Sequence, residues 1–430
     1  MSEQTFTLGI SYWPRRRRYA ERILCSWSDA DTVALRDELS HIAELGFTRV
    51  RFELRWAEVL PDLRVNTAAL RGLERALDQA EEHGLQAVVA LLGASLGGTL
   101  HLPAWAVGFR LPHDLQLARR LGPPVVIAPP DQPVVLAGEQ YCAEPPRDLY
   151  GEPELLAAQR QVLHETIGNL SAHPAAAAWQ IGADMERLRR PASARAAAEW
   201  WGDLAARAQD YGARQVIGVV SAMNLERRDT LRPEQIVRHN GQVAVSVAAW
   251  SPPVVERLDD TRRVRFLHAL TAALVRAEQS TAAPVIVTDL GVPTTIPGSN
   301  GLVTSEIFGR TVLHPLLDEE RQATLIEEGL AALYRDGAAG VWLPLYADPE
   351  PEVWNVPPLD RSWWARTMGL VAPGGREKPA AEALRVFAAR LRAGGLPAPV
   401  GPPALPLDPE RYWYDPERSF AALWEDWQRD

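Results

Sequence analysis

The chain has 430 residues, 47% of them hydrophobic, and a formal net charge of −10. That length suits one β/α barrel with insertions, and the negative balance disfavours nucleic acid and anionic membrane as partners. Its two cysteines, Cys25 and Cys142, and nine scattered histidines lack HxxxH or CxxC spacing, so neither a structural metal nor a cofactor is expected.

The opening Met1-Ser-Glu-Gln-Thr-Phe lacks the charged and apolar regions of a signal peptide. No apolar run reaches the ~18 residues of a membrane span. A cytoplasmic location is the expectation, with both cysteines as thiols rather than a bridge.

Strand and helix signals then alternate, as in consecutive βαβ units. Thr5–Tyr12 reads as a first strand and Asp31–Leu45 as an amphipathic helix ended by Gly46. Phe47–Leu54 and Thr67–His83 form the next pair. Leu85–Leu92 is continuous in apolar residues, as a strand covered on both faces should be. From about Gly93 to Gly151 the rhythm breaks into a stretch rich in Pro, Gly and aromatics. So long an insertion after a strand is expected to be functional and to lie over the barrel mouth.

Helix resumes over Glu152–Ala172, with Pro153 in the tolerated first turn. The remaining strands are Ala176–Ala183, Arg214–Ala222, Gln242–Trp250, Ala283–Leu290 and Gly340–Tyr346. Helices Ala192–Tyr211, Pro233–Arg238, Asp260–Ser280, Glu319–Asp336 and Lys378–Leu391 separate and close them. Eight strands and eight helices predict a (β/α)8 TIM barrel over residues 1–393, with a long loop insertion after strand three. Residues 394–430 read as a Pro-rich linker and an aromatic C-terminal tail. Its rings need burial, against the barrel or in an oligomer through a neighbouring subunit.

Asp184 ends Trp179-Gln-Ile-Gly-Ala-Asp184, and Asp289 ends Pro284-Val-Ile-Val-Thr-Asp289. Barrel enzymes carry their chemistry at the C-terminal ends of such strands. Two carboxyls facing one pocket are what cleavage of a glycosidic bond requires.

Several segments, in order, resemble the retaining glycoside hydrolases of clan A, with features of families 5 and 42. They are Gly9-Ile-Ser-Tyr-Trp-Pro14, Leu45-Gly-Phe-Thr-Arg-Val-Arg51 through Trp56, and Pro103-Ala-Trp105. His173-Pro-Ala-Ala-Ala-Ala-Trp179-Gln-Ile-Gly182, Gly369-Leu-Val and Lys378-Pro-Ala-Ala complete the set. The resemblance implies a barrel acting on a β-linked saccharide, with Asp184 as general acid/base and Asp289 as nucleophile or base.

The departures gather at the site. Gly182-Ala183-Asp184 stands where the family has Gly-Asn-Glu, and Thr288-Asp289-Leu290-Gly291 where it has Thr-Glu-Phe-Gly. Ala248-Ala249-Trp250 replaces His-x-Tyr, and Pro344 replaces a tryptophan, with Trp342 two positions earlier. Asp for Glu retracts each carboxyl by roughly 1.5 Å. Both retractions together widen the pair from about 5–5.5 Å toward the ~6.5–9.5 Å of inverting enzymes. Two functions therefore stand open: an active glycosidase, inverting if active, and a catalytically silent barrel that binds a glycan or acts as a scaffold.

Arg51 and Glu53 alternate onto one face of strand two and are candidate substrate-binding residues, as well as a candidate structural ion pair. Trp56, Trp105, Trp250 and Trp342 sit near strand ends as candidate sugar platforms. Trp200-Trp201 and Trp363-Trp364 read as packing residues. Glu186 reads as a solvated carboxylate at a helix start, with a substitute acid as the sharper alternative. Arg15–Arg18 reads as a solvated basic run, and Glu139, Tyr141 and Glu144 are candidates to close over a ligand. A G-x-S-x-G elbow, a Walker loop and a dinucleotide fingerprint are all missing.

Overall fold

The computed structural model describes residues 6–15, 26–107, 134–137, 140–142, 145–248, 261–278, 284–296, 301–307 and 310–429, with the backbone alone at 303–315. Cys25, Arg16–Arg18, Glu139, Glu144 and Trp250 therefore lie outside the described residues.

Eight parallel strands close a barrel: β1 (Thr7–Tyr12), β2 (Arg49–Leu54), β3 (Gln86–Leu91), β4 (Ala176–Ile181), β5 (Val216–Ser221), β6 (Gln242–Ser246), β7 (Ile286–Thr288) and β8 (Gly340–Leu343). Each pairs with its sequence neighbours, and β1 closes the ring on β8 with Thr7 beside Gly340 and Gly9 beside Trp342. The expected (β/α)8 architecture holds.

The helices around it are α1 (Thr32–Glu44), α2 (Thr67–Glu82), α3 (Pro153–Leu170), α4 (Ala194–Asp210), α5 (Pro233–Arg238), α6 (Thr261–Glu278), α7 (Glu319–Arg335) and α8 (Pro379–Arg392). Their starts follow local chemistry. Asp31 accepts from the amides of Val33 and Ala34, Asn66 from Ala68 and Ala69, and Asp318 from Arg321. Each cap satisfies amides that lack a partner in the first helical turn.

The barrel interior is filled by Val88, Ala178, Ile217, Val219, Ala244, Ile286 and Trp342. Trp342 occupies the room that a side chain at Gly9 would take, since a Cβ there would lie 2.3 Å from its ring. A larger continuous core joins the outer faces of the strands to the helices.

The insertion after β3 forms short strands at Ser95–Leu96, Thr99–Leu102, Val135–Ala137 and Gln140–Cys142, in one four-stranded sheet. It is tied across the mouth to the loop after β8. Trp364 Nε1 donates to the Gly97 carbonyl at 2.6 Å, and the Tyr141 hydroxyl to Asp360 at 2.6 Å. A backbone hairpin of Leu302–Ile307 and Arg310–Pro315, between β7 and α7, was not anticipated from the sequence.

The C-terminal segment forms two further helices, α9 (Pro409–Tyr414) and α10 (Pro416–Arg429), against the chain's own barrel. The Tyr412 hydroxyl donates to the Leu225 carbonyl at 2.7 Å, and the Arg232 guanidinium lies 4.4 Å over the Trp413 ring. Phe266 of α6 receives Phe420, Trp424 and Trp427 at ring distances of 5.2, 5.1 and 5.8 Å. Tyr412, Trp413 and Phe420 of the tail are thus buried within one chain, while Tyr414 is exposed. No helix among the described residues is long and apolar enough to cross a membrane.

Candidate functional site

β4 and β7 deliver Asp184 and Asp289 to the C-terminal mouth. After β4 the chain turns through Gly182, at φ 71°, where a Cβ would lie 2.4 Å from Trp200. Asp184 follows at φ 60°, and Asp289 sits at φ 65° directly after β7. Both acids thus occupy the left-handed region, which aspartate enters more readily than most residues. Such backbone conformations concentrate at functional sites.

The two carboxyls line one cavity, with about 760 Å³ of empty space that is partly open to solvent. Arg51 and Glu53 from β2, Arg55, Gln180 of β4, Ser246 of β6 and Pro344 after β8 also line it. The insertion contributes Ser95, Gly97 and His101, and Trp13 provides an aromatic wall. The insertion therefore reaches the mouth, as its position in the chain implied.

Asp289 is 6% exposed and surrounded by donors. Arg51 Nη2 forms an ion pair with its Oδ1, while Ser246 Oγ at 2.8 Å and Thr288 Oγ1 at 2.9 Å donate to Oδ2. Arg51, 5% exposed, is itself steadied by Nε donation to Ser11 Oγ at 2.8 Å. Burial works against the Arg51 charge, yet the carboxylates of Asp289 and Glu53 outweigh it and hold the guanidinium above its ordinary value.

Asp184 has Arg187 Nη1 3.4 Å from its Oδ2. Glu53 stands 3.8 Å from Arg51 Nη2. Burial pushes its carboxyl up to about 7; Arg51 opposes the rise, and the charges of Asp289 and Asp184 add to it. His101, buried at 6% exposure, is pushed down to about 3 by burial and by the Arg55 charge, so its imidazole is neutral. His101 Nδ1 and Gln180 Oε1 are buried without a hydrogen-bond partner among the described residues. Such groups are costly unless something bonds them, and a hydroxyl-bearing ligand in this cavity is suited to do so.

The cavity unites Asp184, Asp289, Arg51 and Glu53, and it leaves out the described tryptophans expected as platforms. Trp56 is 1% exposed and meets Trp105 edge to face at 5.3 Å, with Trp105 Nε1 donating to the Leu60 carbonyl. Trp342 packs in the barrel interior one layer below Pro344, which occupies the mouth position. These three rings face packing neighbours, and Trp13 is the ring on the cavity. Its place at the end of β1, next to residues already singled out, was the available signal.

Glu186 corrects an expectation. Instead of a solvated carboxylate it is 7% exposed and accepts from Ser221 Oγ at 3.1 Å. Burial and the neighbouring charge of Asp184 push it up to about 7. It does not line the cavity. Trp200 and Trp201 are buried packing residues as expected.

No family model matches the chain, and no curated protein matches it. Solved structures do. A GH5_18 protein from Streptomyces cattleya, in complex with GlcNAc, shares 20% identity over 92% of this chain and 82% of its own, with a TM-score of 0.66. A variant of a Streptomyces cattleya GH5_18, in complex with Manb1-4GlcNAc, shares 19% over 97% and 89%, with a TM-score of 0.69. An exo-beta-1,4-mannosidase from Opitutaceae bacterium strain TAV5 shares 17% over 91% and 60%, with a TM-score of 0.61. At these identities the likeness establishes the fold, which this chain has in common with glycoside hydrolases.

Proposed function

We propose that this protein hydrolyses a β-linked saccharide in the cavity at the barrel mouth, with a β-mannoside as the first substrate to try. The observation that carries the reading is the convergence of Asp184 and Asp289, from the ends of β4 and β7, on one accessible cavity. Asp289, paired with Arg51, is the nucleophile or base, and Asp184 is its acid/base partner. The neighbours named for mannosidase activity and for Manb1-4GlcNAc support the sugar class by analogy of fold. If the shortened side chains leave room for water between them, the outcome is inversion.

The test is turnover of aryl β-mannosides, with other aryl β-glycosides as the wider panel. Asp184→Asn and Asp289→Asn should each abolish turnover while ligand binding, read by tryptophan fluorescence, survives. Proton NMR of the first-formed anomer decides between inversion and retention.

One observation favours a second reading. Asp289 already accepts from Arg51, Ser246 and Thr288, so three of its about four acceptor sites are engaged. A barrel that binds the sugar and leaves it intact would show saturable binding and no turnover across the whole panel.

A further inference from the structure

Three carboxyls, not two, face the cavity: Glu53, Asp184 and Asp289. Their surroundings differ in kind. Asp289 accepts from a guanidinium and two hydroxyls. Asp184 has the Arg187 guanidinium on one oxygen. The Glu53 carboxyl accepts no hydrogen bond from any described residue, and its nearest cation, Arg51 at 3.8 Å, is committed to Asp289.

The charges that face Glu53 come from every side of the mouth. Arg51 lies on its own strand, Asp184 follows β4, and Asp289 follows β7; Arg55 lines the same cavity without a resolved effect on Glu53, and His101 from the insertion is neutral. Two anions and burial oppose ionisation, and one shared cation favours it. A carboxyl so placed is the one that keeps its proton when neighbouring acids have lost theirs. Consistently, Glu53 is held up at about 7.

Resting on the hydrolase reading, we propose that Glu53 gives the leaving group its proton, which takes the acid duty from Asp184 and leaves it only the base duty of the covalent route. The Glu53 proton passes to the glycosidic oxygen as the bond from that oxygen to the anomeric carbon breaks, and the alcohol departs neutral. The anomeric carbon takes its new bond from Asp289, or from a water that Asp289 activates. In the first case, water then displaces the Asp289 ester and gives its proton to Asp184. In the second, that proton goes to Asp289. Exchange with solvent reprotonates Glu53 and deprotonates the acceptor, which closes the cycle without any further reactant. One methylene longer than either aspartate, Glu53 also retains the reach that they lack.

The experiment compares 2,4-dinitrophenyl β-mannoside, whose leaving group needs no proton, with methyl β-mannoside, whose leaving group does. In Glu53→Gln, kcat/KM for the methyl glycoside should fall about 10²–10⁴-fold, while that for the dinitrophenyl glycoside stays within a few-fold of wild type. The wild-type kcat/KM for the methyl glycoside should decline as pH rises through about 7, and Glu53→Gln should lose that limb. Equal losses on both substrates would mean a structural role beside Arg51 and overturn the proposal. So would finding the selective loss in Asp184→Asn instead. Failure of wild type to cleave the dinitrophenyl members of the whole glycoside panel would sink the hydrolase reading itself, a result distinct from either.

Discussion

Replacing Arg51 by methionine tests the electrostatic frame on which the site rests. Arg51→Met keeps most of the side-chain volume and removes the cation from a carboxylate that is 6% exposed. Breaking a buried pair by removing one partner costs about 3–5 kcal/mol, because the remaining charge is stranded. Ser246 and Thr288 still donate to Asp289, so the lower end of that range is expected. Urea unfolding monitored by fluorescence reads the loss as a shift of midpoint at constant slope. Asp289→Leu alone strands Arg51 in the same way, and the double variant Arg51→Met/Asp289→Leu should recover most of the loss. A cost for Arg51→Met below about 1 kcal/mol, the worth of an exposed pair, would refute the reasoning. So would a double variant that is merely the sum of the singles.

Two other outcomes follow from the same structure. His101 is held down at about 3, well below its unfolded value near 6.5, so the unfolded chain binds the extra proton between those pH values. Stability from this group is present above pH 6.5 and lost as pH falls toward 3, and His101→Gln should flatten that part of the stability–pH curve; an unchanged curve would count against a buried neutral imidazole. Removing residues 409–430 exposes Phe266 and forfeits burial of Tyr412, Trp413 and Phe420, at about 1.5–3 kcal/mol each. The truncated chain should melt lower and self-associate in light scattering, whereas an equal melting temperature would mean that the tail contributes nothing.

The barrel was legible because parallel strands buried on both faces leave apolar runs that helices cannot imitate at that length. The closing turns were less so. The seventh strand read as Ala283–Leu290 is paired only over Ile286–Thr288, since Asp289 leaves the extended region. The aspartates were found through strand order, and Arg51 and Glu53 through the two-residue period that put both on the cavity. The same period explains the failure at Trp342. Positions 342 and 344 share a face, but they lie in different layers, and only the upper layer meets the mouth. A tryptophan near a strand end serves core and pocket equally well in sequence. Glu186 was misread because its hydrogen-bond partner Ser221 and its neighbour Tyr150 lie on segments distant in the chain.

The chemistry of this mouth turns on how one guanidinium is shared. Arg51 sits against Asp289 and 3.8 Å from Glu53, so it cannot neutralise both equally. The nearer carboxylate gains a guanidinium and hydroxyl donors; the farther one is left half-buried beside two other acids. That inequality separates the acids by environment rather than by residue type, and on the proposed reading it makes Glu53 the proton holder. Two shortened side chains are therefore no sign, in themselves, of a dead site. On the proposed hydrolase reading, the acid that needs reach comes from β2, and the acid that needs only charge stands at the end of β7.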